Sequence, residues 1–254
     1  LAARFDDLPF RKSGTLYAHF DRVDLSVFHK AHTEWGYEID WVGQEQIKEL
    51  EPNLVAVPER CLLAPAEGTL RVADAARFFA EQFQRQGGRF LHQTVSTIVS
   101  RGGQVTGVKI DQTDLEADHV VVAAGVATQS ILSCLGIHLP MKSPTGLLVN
   151  TKPCSPKINQ TVLTGGLHVQ QLQDGSLLAG ADFGGGQLND HPVEGAAELM
   201  RRIRSAFHGT ENVEIERYTL GHRPTPQDGM PVVGPVSETP GLYIATMHSG
   251  ATLA

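Results

Sequence analysis

The 254 residues, 41% hydrophobic and 19% charged, describe an ordinary globular chain long enough for one large domain or two small ones with real cores. Its 21 Lys and Arg against 28 Asp and Glu leave a net charge of −7. No basic run or patterned basic helix stands out, which argues against a nucleic-acid partner and for a small molecule.

In chain order, the pattern predicts a strand over 13–18, a helix over 24–35, an apolar patch at 39–42 and a short helix over 44–51 closed by Pro52. His29 and His32 lie three apart on the first helix, a spacing two metal ligands can share, but no third ligand is evident nearby and a solvated helix face is the simpler reading. An amphipathic helix is expected over 71–86, with Ala75, Phe78, Phe79 and Phe83 on one stripe and Gly87-Gly88 as its stop. Short strands are expected over 89–95, 97–100, 105–110 and 119–124, with Gly102-Gly103 and 111–114 as hairpin connections.

Residues 120–125 have the continuous apolar character of a strand buried on both faces, ending in a glycine where either a ligand or a packed helix can approach. A helix follows over 127–135, with Gly136 past its end. Near Pro140 the texture shifts toward strands, which places a domain boundary there. Strands are expected over 147–150, 161–172 and 176–180, with Asp174-Gly175 as a hairpin turn. A helix over 193–208 carries Leu199, Met200, Ile203 and Phe207 on one side, and a strand returns over 213–220.

The C-terminal stretch carries the chemistry. Arg223 stands between His222 and Pro224, and the proline drives it toward an extended conformation that fixes where its guanidinium fork points; such a fork suits a carboxylate. Gly229, Pro231 and Gly234 read as turn formers. A strand over 241–247 then empties into His248-Ser249-Gly250-Ala251-Thr252-Leu253-Ala254, where small residues at a helix start leave N–H groups uncovered for an anion or an electron-rich ring. Cys61, Cys134 and Cys154 are odd in number and far apart, so neither a disulfide framework nor a metal-ligand spacing is legible, and a reducing compartment fits. The longest apolar run, 120–124, is far too short for a membrane span and no signal peptide opens the chain, so a cytoplasmic location is expected, with peripheral contact at the inner membrane face left open.

Taken as a set, Gly221-x-Arg223-Pro224, then Asp228-Gly229-x-Pro231-x-x-Gly234, then a strand ending in His248-Ser249-Gly250 resembles the C-terminal signature of the D-amino-acid-oxidase-like FAD-dependent oxidoreductases. That family includes glycine and sarcosine oxidases and D-amino-acid dehydrogenases. Glu67-Gly68, 120–125 and 165–180 also fall where the family has comparable segments. The resemblance implies an α/β, mixed α+β fold: an incomplete Rossmann-like FAD domain and a substrate domain on a mainly antiparallel sheet. Residues 1–70 and 140–220 would build the substrate domain, and 71–139 and 221–254 the FAD domain. The family's Gly-x-Gly-x-x-Gly loop is missing from this sequence, and Gly184-Gly185-Gly186 has the wrong spacing. With an abrupt start at Leu1 and an end inside an expected helix, the chain reads as a fragment, inactive as it stands.

The resemblance also assigns roles. Arg223 would be the catalytic and substrate-binding clamp on a carboxylate, the alternative being a structural ion pair; His168 would line the substrate pocket, unless it is a half-exposed packing residue. Val95 would reach the adenine through its backbone, or else be a buried strand residue, and Ala124 and Gly125 would pack near the dinucleotide. His248, Ser249, Gly250, Ala251, Thr252 and Leu253 would bind the cofactor, the N–H groups of Ser249, Gly250 and Ala251 facing negative charge on the reduced flavin; capping would also explain His248. No metal is implied. The chemistry implied is hydride transfer from the Cα–H of an amino acid or secondary amine to flavin N5, leaving an imine that water hydrolyses to an oxo acid.

Oxygen, a quinone or another redox protein would accept the electrons, and assemblies of like or unlike subunits stay open. Gly250 stands where glycine oxidases often have a second arginine, and Gly146-Leu147 where many members have Gly-Gln, so no substrate is named by the pattern. Three alternatives compete: a flavoprotein subunit of a larger amine dehydrogenase, a branch acting on a substrate such as a glycerol phosphate, and a non-catalytic domain without flavin.

Overall fold

The computed structural model describes residues 7–8, 10–18, 24–155, 158–181 and 191–246. Contacts divide the chain into two compact units, Leu1–Gln86 with Gly146–Leu220, and Gly87–Thr145 with Gly221–Ala254.

The first unit opens with β1 (Phe10–Arg11) and β2 (Thr15–Tyr17), followed by α1 (Leu25–Glu34). Asp24 caps α1 by accepting the Ser26 N–H at 2.8 Å. Next come β3 (Asp40–Gly43), α2 (Gln44–Leu50), β4 (Arg60–Ala64), β5 (Thr69–Leu70) and α3 (Val72–Arg85). The strand β4 is an addition to the sequence expectation, and it pairs with both β2 and β3. Contacts group α3 with this unit; of its expected apolar stripe only Ala75 is buried, and Phe83 is 53% exposed.

In the second unit, residues 89–94 form no ladder, contrary to the expected strand over 89–95; regular pairing begins at Val95. From there β6 (Val95–Arg101), β7 (Gln104–Ile110) and β8 (Thr113–Glu116) make an antiparallel meander. Gly102 and Gly103, both at positive φ, form the tight turn between the first two, as a two-residue hairpin requires. After β9 (Val120–Val122) a 3-10 turn at Gly125–Ala127 leads into α4 (Thr128–Leu132), and a second 3-10 turn ends at the left-handed Gly136. The expectation that β9 is buried on both faces is corrected: Val121 is 61% exposed, because β9 packs on the core through the face that carries Val120 and Val122, and the face that carries Val121 is uncovered. The short β10 (Met141–Lys142) still belongs to this unit.

The chain then returns to the first unit with β11 (Thr145–Thr151), β12 (Thr161–Thr164), β13 (Leu167–Gln171) and β14 (Leu177–Gly180). The single strand expected over 161–172 is a hairpin instead, folded at Gly165-Gly166 with Gly166 at φ 75. Asp174-Gly175 makes the next hairpin, Asp174 accepting from both the N–H and the hydroxyl of Ser176. Then come α5 (Pro192–Ala206), β15 (Ile215–His222), β16 (Thr225–Pro226), β17 (Val232–Pro235) and β18 (Leu242–Thr246). Gly234, expected in a turn, lies inside β17, whereas Gly229 at φ 79 does turn the chain.

The large sheet runs β15-β11-β14-β13-β12-β2-β4-β3, with β12 and β2 parallel among mainly antiparallel neighbours. Alternation splits its two faces. Leu147, Val149, Val162, Leu167 and Val169 pack with Leu199, Met200, Ile203 and Phe207 of the α5 region and with Ile47 of α2. The opposite face buries Tyr17, Leu62 and Leu163 against Phe28 of α1. A separate core in the second unit joins Ile98, Val105, Val122, Leu132, Leu242 and Ile244. No described helix is long and apolar enough to cross a membrane.

Candidate functional site

Two places in the second unit concentrate the chemistry. At the first, Arg223 leaves the end of β15 and donates its backbone N–H to the carbonyl of Pro144 at 3.0 Å. Two residues later β16 pairs with β10, Thr225 opposite Lys142 and Pro226 opposite Met141, and the Gln227 N–H donates to Pro140 at 2.9 Å. The backbone around Arg223 is thus tied on both sides to the segment 140–144, and Pro224 between the ties removes a further degree of freedom. Arg223 is half-buried, and its side chain starts from a fixed root. Beyond it the Gly229 N–H donates to Pro226, and the Met230 N–H to the Asp228 carboxylate at 3.0 Å, a turn that sends the chain back as β17.

At the second place β9 and β18 run parallel, with Val120, Val121 and Val122 opposite Leu242, Tyr243 and Ile244. Their carboxyl ends therefore lie side by side, the edge at which open α/β sheets bind dinucleotides. Ala124 and Gly125 follow β9 there. Gly125 takes φ 57, and nothing lies within 4 Å of where a side chain would begin, so the backbone presents an open, uncovered turn. Thr246 ends β18 buried, with its hydroxyl unpartnered among the described residues; Thr128, at the start of α4 just past Gly125, is also buried with an unpartnered hydroxyl. Leaving a buried hydroxyl unsatisfied costs about 1–3 kcal/mol, so such groups point to a partner outside the described residues.

The other expected residues are placed as follows. Val95 heads β6, half-buried and opposite Ile110. His168, in the first unit, sits half-buried on β13 opposite Leu163 and Gly180. His248, Ser249, Gly250, Ala251, Thr252 and Leu253 lie outside the described residues, as does Gly184-Gly185-Gly186. Leu147, where many family members have glutamine, is buried in the first unit's core. His32 stacks on Phe28 at 3.8 Å with its Nδ1 2.8 Å from the Phe28 carbonyl, and no cluster of three or more metal-ligating side chains occurs among the described residues.

Sequence reasoning missed two buried polar groups in the first unit. Glu51 is fully buried; its Oε1 accepts the N–H groups of Asn159, at 2.7 Å, and Gln160, while Oε2 has no partner among the described residues. Burial pushes its pKa up to about 7, against the pull of those N–H donors and of Arg11. The Tyr17 hydroxyl lies 2.9 Å from both oxygens of Glu67, and burial, then the neighbouring carboxylate, raise its pKa above the ordinary value. The signal for Glu51 was present but ambiguous, since a glutamate before a proline at a helix end usually faces water.

The profile of the DAO family, described as FAD dependent oxidoreductase, matches residues 1–254. A glycine oxidase of Pseudomonas putida is 28% identical over 166 residues, covering 64% of this chain and 46% of its own length. The hydrogen cyanide synthase subunit HcnC of Pseudomonas aeruginosa is 24% identical over 95% of this chain and 60% of its own. Among solved structures, the L-proline dehydrogenase from P. horikoshii superposes with a TM-score of 0.84 at 20% identity, over 98% of this chain and 70% of that one. The chain thus spans roughly half to two thirds of the length of these relatives.

Proposed function

Because this chain belongs to the DAO family of FAD-dependent oxidoreductases, we propose that the protein it represents oxidises the C–N bond of an amino acid or secondary amine, with an oxo acid as the final product. Bound FAD supplies the hydride acceptor for that oxidation, and water completes the hydrolysis of the imine. The observation that carries the reading is the rooting of Arg223 between two backbone ties to 140–144. A guanidinium so rooted grips the substrate carboxylate with two parallel hydrogen bonds and fixes the direction of the Cα–H. No strong base is needed for the oxidation itself.

The residues present fit one flank of the cofactor. Ala124 and Gly125 offer uncovered backbone beside the end of β18, and the Thr246 hydroxyl is a buried group awaiting a partner. Val95 would approach the adenine through its backbone, and His248, Ser249, Gly250, Ala251, Thr252 and Leu253 would follow Thr246 along the flavin. His168 would line the substrate pocket. A cytoplasmic enzyme using oxygen or a quinone as acceptor agrees with this reading. A second reading, a catalytic subunit within a larger assembly, is favoured by the match to HcnC, which is named as a subunit.

Arg223→Lys in the full-length protein tests the reading. Lysine keeps the charge but loses the fork, so KM for amino acids should rise at least about tenfold while visible flavin absorbance is retained. An unchanged KM would remove Arg223 from the substrate site.

A further inference from the structure

Prolines thin the hydrogen bonding around Arg223. Pro140 and Pro144 stand on one segment and Pro224 and Pro226 on the other, and none of them offers an N–H. The two segments are joined by the Arg223 N–H on Pro144, the Gln227 N–H on Pro140 and the short ladder of β10 with β16. Packing leaves open space at the Pro140 end, where Leu139, Pro140, Pro226, Gln227, Asp228 and Val232 line a cavity of about 380 Å³. The place of Arg223 therefore depends on what holds segment 140–144 itself.

That hold comes from α4. Gln129, the second residue of the helix and half-buried, accepts the Leu139 N–H through its side-chain Oε1. Between the two, the chain makes a 3-10 turn, passes the left-handed Gly136 and sends the Ile137 N–H back to Leu132 over 3.4 Å, a long bond. Leu132 anchors α4, being fully buried with Val122 and Ile244 in the core of the second unit. The turn at Gly125–Ala127 leads directly into the helix. A continuous route thus runs from the end of β9 through α4, Gln129, Leu139 and Pro140 to Gln227 and β16, all within the second unit.

On the substrate role proposed above for Arg223, we propose that Gln129 is its positioning residue. It fixes the segment to which Arg223 is tied relative to the open turn at Ala124 and Gly125, and so sets where the substrate carboxylate is gripped. Gln129 acts through Arg223 and grips nothing itself. The site demands an acceptor, because a backbone N–H faces it. Glutamate supplies one, and methionine, of the same length, does not. A misplacement of 1 Å can cost about 100-fold in rate, and losing one tie should cost a part of that, about tenfold.

The test uses the full-length flavoprotein. Gln129→Met should lower kcat/KM for amino acids by about tenfold, mainly through KM, with flavin absorbance retained, and Gln129→Glu should stay within about twofold of wild type. In an Arg223→Ala background Gln129→Met should change kcat/KM by less than about twofold, because its effect passes through the guanidinium. Amide exchange gives a readout independent of turnover: Leu139, Met141, Lys142 and Gln227 should exchange faster in Gln129→Met and at the wild-type rate in Gln129→Glu. Should Gln129→Met fold poorly, Gln129→Asn, whose acceptor falls one methylene short, carries the same expectations. Unchanged kcat/KM or unchanged exchange in Gln129→Met, a loss that Gln129→Glu shares, or equal losses with and without Arg223 would overturn the proposal while Arg223→Lys still raises KM. A wild-type KM in Arg223→Lys would instead remove Arg223 from the substrate site, and this role with it.

Discussion

Replacing Glu51 by glutamine should remove a loss of stability that the protein otherwise suffers as pH rises from about 4.5 to about 7. The carboxylate is fully buried, is held by two backbone N–H groups through one oxygen, and has no partner on the other. Its folded pKa of about 7 stands above the usual 4.5. The native state therefore holds the proton more tightly than the unfolded chain, and the stability this contributes is complete below about pH 4.5 and lost as pH rises through about 7. At about 1.4 kcal/mol per decade of acidity, the gap amounts to roughly 3 kcal/mol, an upper bound because relaxation and water entry reduce it. Glutamine keeps the acceptor for Asn159 and Gln160 and does not ionise. Denaturant titrations of both proteins at pH 5, 6, 7 and 8 should show Glu51→Gln gaining on the wild type by up to about 3 kcal/mol across that range, other titrations cancelling in the difference. Parallel stability curves, or a wild type that gains with rising pH relative to the variant, would refute the reasoning.

Phe207→Ala should cost about 3–5 kcal/mol in chemical denaturation, since its ring is fully buried among α5, α2 and the large sheet; a cost below about 1 kcal/mol would mean the core is drawn wrongly. Asp24→Ala should cost about 1 kcal/mol by removing the cap on the Ser26 N–H, seen as faster amide exchange in the first turn of α1. Gly107→Ala should destabilise the meander by at least about 1 kcal/mol, because its φ of 152 and the Leu115 carbonyl facing the new Cβ leave no room; unchanged protease resistance of β7 and β8 would contradict this.

Most helices and the major turns were legible because their signals are local. Period 3.6 marks α5, Asp24 marks the start of α1, and the glycine pairs at 102–103 and 165–166 mark hairpins, although the second was read as strand interior because apolar residues continue on both sides of it. Long-range pairing was less legible. The strand β4 is a short apolar run between Pro58 and Pro65 without alternation, since it lies centrally between β2 and β3 and is buried on both faces. Val121 misled in the opposite direction: a run of valines looks doubly buried, but whether a second layer covers the other face of the sheet is not written in the strand's own residues. For the site, the motif around Arg223 located the residue, whereas the backbone ties that root it depend on residues about 80 positions earlier in the chain. The Thr246 hydroxyl gave no sequence signal, because a threonine ending a strand is ordinary until its burial is known.

The most direct measurement is the visible absorption spectrum of the full-length protein, mixed without oxygen with a panel of glycine, sarcosine, proline and D- and L-amino acids. An oxidised-flavin spectrum that bleaches with an amino acid or secondary amine of that panel, and recovers when an acceptor is admitted, is the expected result. A full-length protein that carries no flavin and takes none up would contradict the proposed function.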